Sequence, residues 1–131
     1  MGLLCAAGCG GDTAGAPSGD CTEIGCLPAY AQVQVSGLPE GPFRVRVCAE
    51  QRCHAVRGSR RQVNRVVVEL PESVATSTRV EIEVRSRGRV IAKDGAEIPV
   101  ESHRPNGPDC PPECRFARAR LDLDTGRLEP A

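Results

Sequence analysis

The 131-residue chain has 17 basic and 17 acidic side chains and a formal net charge of zero, so we expect no nucleic-acid partner. Its length suits one folded domain and is too short for two. Aromatic residues make up 2% of the chain and tryptophan is absent, so a core must be built mainly from valine, leucine, isoleucine and alanine. Because a domain of this size buries only about two-thirds of its unfolded surface, covalent cross-links would add stability.

The chain begins with a short apolar run that ends in Ala-Ala-Gly directly before Cys9. Small residues in that place are typical of a signal-peptide cleavage site. We therefore expect residues 1–8 to be the end of a lipoprotein signal peptide and Cys9 to become the lipidated N-terminus. Cys5 follows a leucine and is the weaker candidate. A secretory signal also needs a basic start, and the first basic residue is Arg44, so we expect a charged leader upstream of Met1. The alternative is an N-terminus that is small and apolar by chance.

Residues 9–20 are rich in glycine, alanine, serine and proline and have no apolar period. This composition predicts a flexible tether between the membrane and a folded domain that starts near Cys21. The apolar run before Cys9 is far shorter than the roughly 20 residues of a membrane-spanning helix. We therefore expect acyl chains, and not a transmembrane segment, to hold the protein at the membrane surface.

Several segments alternate apolar and polar residues with a period of two, which predicts half-buried strands. They lie at residues 32–36, 43–48, 66–70, 79–85 and 117–123. The fourteen valines suit a pleated sheet better than a helix. The spacing and the lack of a sustained helical period predict an all-β fold, an antiparallel and immunoglobulin-like β-sandwich of about seven strands over residues 21–131.

Turn signals lie between these segments, at residues 37–42, 87–88, 94–95 and 124–126. We interpret Asp94–Gly95 as a two-residue hairpin turn, because aspartate and glycine tolerate the positive φ that such turns need. Residues 71–78 have room for a single helical turn.

Six cysteines remain when Cys5 and Cys9 are assigned to the N-terminal segment, and their short spacings predict disulfides in an extracytoplasmic protein. Cys48 and Cys53 enclose four residues between two strand-like flanks. A hairpin loop there would place them opposite each other, where Cβ atoms are about 4.5–5.5 Å apart, so we predict a disulfide between them.

The other four cysteines form two clusters, Cys21 with Cys26 and Cys110 with Cys114. Two pairings stay open: one bond within each cluster, or two bonds between the clusters. Proline disfavours helical geometry in the residue before it, which tends to separate the sulfurs of the second cluster. Closing a long loop also removes more entropy from the unfolded chain. Both arguments favour bonds between the clusters.

The sequence has no motif for a catalytic nucleophile, a zinc protease or a phosphate-binding loop. We therefore expect no enzymatic activity, no cofactor and no metal. The alternative is a small secreted enzyme or a zinc-binding protein that uses His54, His103 and some of the cysteines. The cysteine pairs enclose four or three residues, whereas zinc knuckles usually enclose two.

Five arginines concentrate positive charge between residues 52 and 65, namely Arg52, Arg57, Arg60, Arg61 and Arg65. No aromatic residue lies among them, which argues against a surface that stacks nucleic-acid bases. We interpret them as a solvated loop. The alternative is contact with an anionic cell-wall polymer or with the bilayer surface.

The residues before Cys9, the tether, the Cys-Thr-x-Ile-Gly-Cys opening at 21–26 and the Asn-Gly-Pro-x-Cys-Pro-Pro-x-Cys segment at 106–114 make the chain resemble small lipoproteins of high-GC Gram-positive bacteria. The resemblance implies a location and a fold class, and no activity. We therefore expect a lipid-anchored, extracytoplasmic accessory module with a structural or binding role in the cell envelope. Its partner would be the membrane through the anchor, together with an envelope protein or a cell-wall polymer.

Overall fold

The computed structural model describes residues 21–131. The signal peptide expected over residues 1–8, the tether over 9–20 and the lipidation site Cys9 lie outside this part of the chain. The described residues form two compact units. The larger comprises residues 27–102 and 115–131, and the smaller comprises residues 21–26 and 103–114.

The all-β class predicted from the period-two patterns is confirmed. The strands are β1 (Tyr30–Ser36), β2 (Phe43–Ala49), β3 (Arg52–Gly58), β4 (Arg65–Glu69), β5 (Ser77–Ser86), β6 (Arg89–Pro99), β7 (Glu101–His103), β8 (Cys114–Asp122) and β9 (Arg127–Pro130). One short helix, α1 (Arg60–Val63), lies between β3 and β4. The strands outnumber the predicted seven because two of them, β7 and β9, are only three and four residues long.

The strands form two sheets. The first has the order β4-β1-β8-β7, with β9 also paired to β8, and the second has the order β3-β2-β5-β6. The second sheet is antiparallel as predicted. In the first sheet β1 runs parallel to β8, with Tyr30 opposite Phe116, which corrects the expectation of antiparallel pairing throughout. No hairpin turn sets the direction of this pair, because most of the chain lies between the two strands.

The immunoglobulin-like strand order is not confirmed. Immunoglobulin domains place their first, second, fifth and fourth strands in one sheet. Here β1 and β2 lie in different sheets. What the sequence pattern predicts correctly is the alternation of buried and exposed residues, which does not by itself specify which strands become neighbours.

The core lies between the inner faces of the two sheets. Val33, Val45, Val47 and Val84 are fully buried there, while the residues between them point away from the core. The largest fully buried side chains are those of Ile82, Ile98 and Leu121. Of the three aromatic residues, Phe43 is buried in the core and the other two are half-buried. Small β-branched side chains therefore supply most of the buried apolar surface.

The prediction of a hairpin turn at Asp94–Gly95 is wrong. The turn between β5 and β6 lies at Arg87–Gly88, where φ is 53° and 81°, values that a type I′ hairpin turn requires. This turn, together with a β-bulge that shifts the register by one residue between Val84 and Arg85, places Gly95 inside β6, opposite Glu81. The glycine leaves room for the side chain of Arg79, whose guanidinium would be 2.8 Å from a Cβ atom at position 95.

Asp94 links the edges of the two sheets. It lies on the inner face of β6, opposite the buried Ile82. Its carboxylate accepts a hydrogen bond of 2.7 Å from the backbone N–H of Leu128 in β9. This bond and a second one from the backbone of Gly95 hold the pKa of Asp94 below its ordinary value of 3.8 because they stabilise the charged form. The two sheets are therefore joined along the side formed by β6 and β9.

Residues 71–78 contain no helix: a bond of 3.0 Å from Val74 N–H to Pro71 O closes one turn, and β5 begins at Ser77. The helical turn is α1, whose Val63 is fully buried and whose start is tied by a bond of 2.8 Å from Ser59 N–H to Gln62 Oε1. The arginine-rich segment is therefore β3, α1 and the start of β4, and not the solvated loop that we expected. No helix of the described chain is long and apolar enough to cross a bilayer.

Two disulfides hold the smaller unit together. They join Cys21 to Cys110 and Cys26 to Cys114, with Cα atoms 5.7 and 5.3 Å apart. Of the two pairings that the sequence leaves open, the structure therefore has the bonds between the clusters.

Asn106 connects the two segments of the smaller unit by hydrogen bonds. Its amide nitrogen donates to the carbonyl oxygens of Ile24, at 2.9 Å, and Pro111, at 2.8 Å. Its oxygen accepts from the Ile24 N–H at 2.9 Å and from the Thr22 hydroxyl. A nearly buried amide with all these partners is a stabilising cross-link between the segments, because its donors and its acceptor are satisfied.

We predict that Asp94→Asn lowers the melting temperature at neutral pH and has a progressively smaller effect in acid. The folded-state pKa of Asp94 is lowered, so its contribution is present above the unfolded-state pKa and is lost as the pH falls through the folded-state value. Thermal unfolding of both proteins from about pH 7 to about pH 2 measures this. Asp124→Asn, at an exposed position, serves as the control. A difference that stays constant over this range would contradict the prediction.

Candidate functional site

An open groove of about 830 Å³ lies in the larger unit, between the edge strands of the two sheets. Its lining comes from β4, from the start of β3, from β1 and from the residues that lead into β1. We call it the β3–β4 groove. It lies where the first sheet ends at β4 and the second ends at β3.

One wall of the groove is the free edge of β4. The ladder between β1 and β4 is bracketed by two bonds of 2.8 Å, from Val35 N–H to Asn64 O and from Leu70 N–H to Ala29 O. Residues of an antiparallel pair alternate between those that bond to the partner strand and those that do not. The even-numbered residues of β4 therefore bond to β1, and the odd-numbered ones direct their backbone N–H and C=O groups away from it.

The same odd-numbered residues of β4, Arg65, Val67 and Glu69, line the groove with their side chains. All three are exposed, while Val66 and Val68 between them are buried in the core. The edge of β4 thus offers the groove a row of backbone donors and acceptors flanked by one cation, one apolar side chain and one anion.

The floor of the groove is part of the inner face of β3. Arg52 and His54 lie opposite Ala49 and Val47, which are buried inner-face residues of β2. Residues directly opposite in a sheet point to the same face, so Arg52 and His54 belong to the face that normally covers a core. Both are nevertheless exposed, because β4 is the last strand of the first sheet on this side.

The hairpin that carries the floor is closed by a disulfide. The predicted bond between Cys48 and Cys53 is present, with Cα atoms 4.0 Å apart. The turn is tighter than the four-residue loop that we expected, because Ala49 and Arg52 are already paired and only Glu50–Gln51 form the turn. The second pair from a two-residue turn does not exchange hydrogen bonds and brings its Cβ atoms closest, which suits a disulfide.

The turn itself is anchored to the second sheet. Thr78 in β5 is 1% exposed, and its hydroxyl donates a hydrogen bond of 2.8 Å to the Glu50 carboxylate. This bond satisfies a buried hydroxyl and fixes the position of the turn next to the floor of the groove.

The groove combines positive charge with apolar surface. Arg52, Arg65 and His54 face one carboxylate, that of Glu69, and none of them is in an ion pair within residues 21–131. Leu27 and Val67 add large exposed apolar side chains, 73% and 43% exposed. Tyr30 forms part of the wall and stacks on Phe116, with ring centroids 6.0 Å apart. A partner with negative charge and apolar side chains would complement this surface.

The arginines that are close in sequence are not one patch in the fold. Arg52 and Arg65 line the β3–β4 groove. Arg57 lies in a different depression, beside Arg85, and Arg60 and Arg61 line a third one near α1. The closeness of these arginines in the sequence therefore overestimates how much positive charge is concentrated at one place on the surface.

The histidines do not come together with the cysteines as a metal site. His54 lies in the groove of the larger unit, whereas His103 belongs to the smaller unit. All six cysteines between residues 21 and 131 are in disulfides and offer no thiolate. In the same range, no group of three or more His, Cys, Asp or Glu side chains has the arrangement of a metal site. The zinc alternative thus lacks sulfur ligands in this part of the chain.

The groove residues that the sequence reasoning missed include Leu27, Val67 and Glu69. One signal for them was present. In the Arg-Val-Val-Val-Glu segment, Val67 has the parity of an outward residue yet is apolar, which is unusual for a solvated face. Whether such a residue borders a groove depends on which strand lies at the sheet edge, and the local pattern does not contain that information.

No protein-family model matches the chain, and no curated protein and no solved structure shows significant similarity to it. The basis for assigning a function is therefore the chemistry of the chain's own residues.

We predict that Gln51→Gly stabilises the protein by about 0.5–1 kcal/mol, because glycine adopts positive φ without the cost that a Cβ atom imposes. Gln51 has a φ of 64° in the hairpin turn. Chemical unfolding with the disulfides intact measures the change. Gln51→Ala keeps the Cβ atom and is the matched control, for which we expect no gain. Equal stability of the two variants would contradict the prediction.

Proposed function

We propose that this protein is a lipid-anchored lipoprotein on the extracytoplasmic face of a bacterial cell membrane, with a non-enzymatic binding role in the cell envelope. Three disulfides indicate an oxidising, extracytoplasmic environment. We also propose the lipid anchor, the envelope partner and the relation to lipoproteins of high-GC Gram-positive bacteria.

The observation that carries the proposal is the complete pairing of the cysteines from residue 21 onward. Cys21, Cys26, Cys48, Cys53, Cys110 and Cys114 bond only to one another. Neither Cys5 nor Cys9 is needed for these bonds. Cys9 follows Ala-Ala-Gly, the small residues that a lipoprotein cleavage site requires, and is thus the best candidate for acylation.

Acylation of Cys9 would place the folded residues near the membrane without a spanning segment. A single acyl chain gives only marginal membrane binding, whereas two or more hold a protein firmly. The Gly-, Ser- and Pro-containing segment of residues 9–20 has the composition of a spacer between the lipid and the folded units.

The binding role rests on the β3–β4 groove. Its side chains provide guanidinium, imidazole, carboxylate and apolar groups around an open space of about 830 Å³. Its cysteine, Cys53, is in a disulfide and is not a nucleophile. Such a surface suits recognition of a charged envelope protein or of an anionic cell-wall polymer.

We predict that Cys9 is acylated. Residues 1–131 are placed behind a leader that supplies a basic start and an apolar stretch of about 10 residues. They are then expressed in a Gram-positive host fed with an alkyne-labelled palmitate. We expect label and membrane association for the unaltered chain and for Cys5→Ala. We expect neither for Cys9→Ala, because the acylated side chain is removed.

Formation of the three disulfides reports export separately from acylation and serves as the internal control. An exported, disulfide-bonded chain without label would refute the lipid anchor. Label that persists in Cys9→Ala would also refute the assignment of this cysteine.

A further inference from the structure

We propose that the β3–β4 groove binds an extended, acidic peptide segment of another envelope protein, which adds as a strand to the free edge of β4. The inference rests on the binding role in the proposed function and deepens it by naming the chemistry of the partner. It does not depend on the lipid anchor.

The edge of β4 has the features of a strand that accepts a partner. Its odd-numbered residues, Arg65, Val67 and Glu69, direct backbone N–H and C=O groups away from β1. Free edges of this kind pair readily with another extended chain. The Arg-Val-Val-Val-Glu sequence of this edge has no proline and no lysine, and the residue at its middle, Val67, is apolar and exposed.

The floor of the groove defines which side chains the guest strand needs. A strand beside β4 would cover the part of β3 that the first sheet leaves open, where Arg52 and His54 lie on the inner face. Side chains of a strand alternate between the two faces. Every second residue of the guest would therefore meet the guanidinium of Arg52 and the imidazole of His54, and carboxylates at these positions complement them.

The other face of the guest strand would continue the outer face of the first sheet. There its side chains would lie next to Val67, which is 43% exposed, and near Leu27. Cross-strand pairs of β-branched or other apolar side chains stabilise such neighbours. The expected guest is thus a segment with alternating acidic and β-branched or aliphatic residues.

A peptide fits these features better than the other occupants. A cell-wall glycan lacks the regular backbone amides that match the edge of β4. A second copy of β4 would bring Arg65 and Glu69 together and would add no net negative charge for Arg52. Pairing of two β4 strands would also bring the β3 strand of the second copy into the groove. That space is already bordered by the β3 strand of the first copy, which extends beyond β4.

The test uses the oxidised chain of residues 1–131 with Cys5→Ala and Cys9→Ala, so that it carries no acyl chain. The probe is a pool of end-blocked peptides of nine residues, with Asp or Glu at every second position and Val, Ile, Leu or Thr between them. The control pool has Lys or Arg at the same positions. We expect retention of acidic peptides on the immobilised protein and little retention of basic ones, because the groove is positively charged.

Charge variants then separate this groove from general electrostatic attraction. For the tightest acidic peptide, Arg52→Glu should weaken binding at least about tenfold. Arg57→Glu makes the same change of charge on the same strand as Arg52→Glu, but on the opposite face of β3. It should therefore change the affinity for the peptide little. Glu69→Gln removes the one carboxylate of the groove and should strengthen binding about threefold, a gain that misfolding cannot produce.

Backbone variants test strand addition. Val67→Pro removes an N–H that points away from β1 and should weaken binding at least about tenfold. Two N-methylated forms of the peptide, one methylated at even and one at odd positions, should differ strongly in affinity for the protein, because only alternate amides of the guest strand face β4.

Any one of four binding results would overturn the proposal. They are no retention of the acidic pool, equal retention of the basic pool, unchanged binding by Arg52→Glu, or equal binding of the two N-methylated peptides. Sedimentation that reveals a dimer abolished by Val67→Pro would assign the edge to a second copy and would also overturn it. Because no lipid is present, none of these results bears on the acylation of Cys9.

Discussion

The two disulfides that join residues 21–26 to residues 110–114 close loops that span most of the chain, with sequence separations of 89 and 88. In the chain-entropy account, the first such bond stabilises a folded protein by about 4–5 kcal/mol, and a second bond whose loop overlaps the first adds less, because the first bond has already brought its ends close together. This constraint matters because the core consists mainly of small β-branched side chains and contains a single aromatic ring. One of the bonds also lies close in sequence to the parallel pair that no hairpin turn aligns, since Cys114 is the first residue of β8 and Cys26 precedes β1 by four residues.

The two sides of the sandwich differ in how the sheets meet. On one side, Asp94 of β6 binds the backbone of Leu128 in β9 and links the two sheets. On the other side, β3 extends beyond β4, so Arg52 and His54 on its inner face are left uncovered. The hairpin disulfide and the bond from Thr78 to Glu50 hold this part of β3 in place. The candidate site therefore arises from an unpaired sheet edge whose surroundings are fixed, and not from a set of catalytic groups.

The sequence predicted what depends on neighbouring residues along the chain. Period-two alternation identified β1, β2, β4, β5 and β8, and the spacing of Cys48 and Cys53 identified their disulfide, because a hairpin brings sequence neighbours together. It failed where distant segments decide the outcome. Asp94–Gly95 has the composition of a turn, yet the turn at Arg87–Gly88 sets a register that places it inside β6. The parallel pairing of β1 with β8 and the groove beside Val67 likewise depend on which strands become neighbours.

The central claim is that the two cysteine clusters are bonded to each other and not each within itself. Peptide mapping of the exported, unreduced protein by mass spectrometry tests it most directly. The account predicts three linked pairs, Cys21 with Cys110, Cys26 with Cys114 and Cys48 with Cys53. Local pairs of Cys21 with Cys26 and Cys110 with Cys114, or free thiols at these positions, would contradict it.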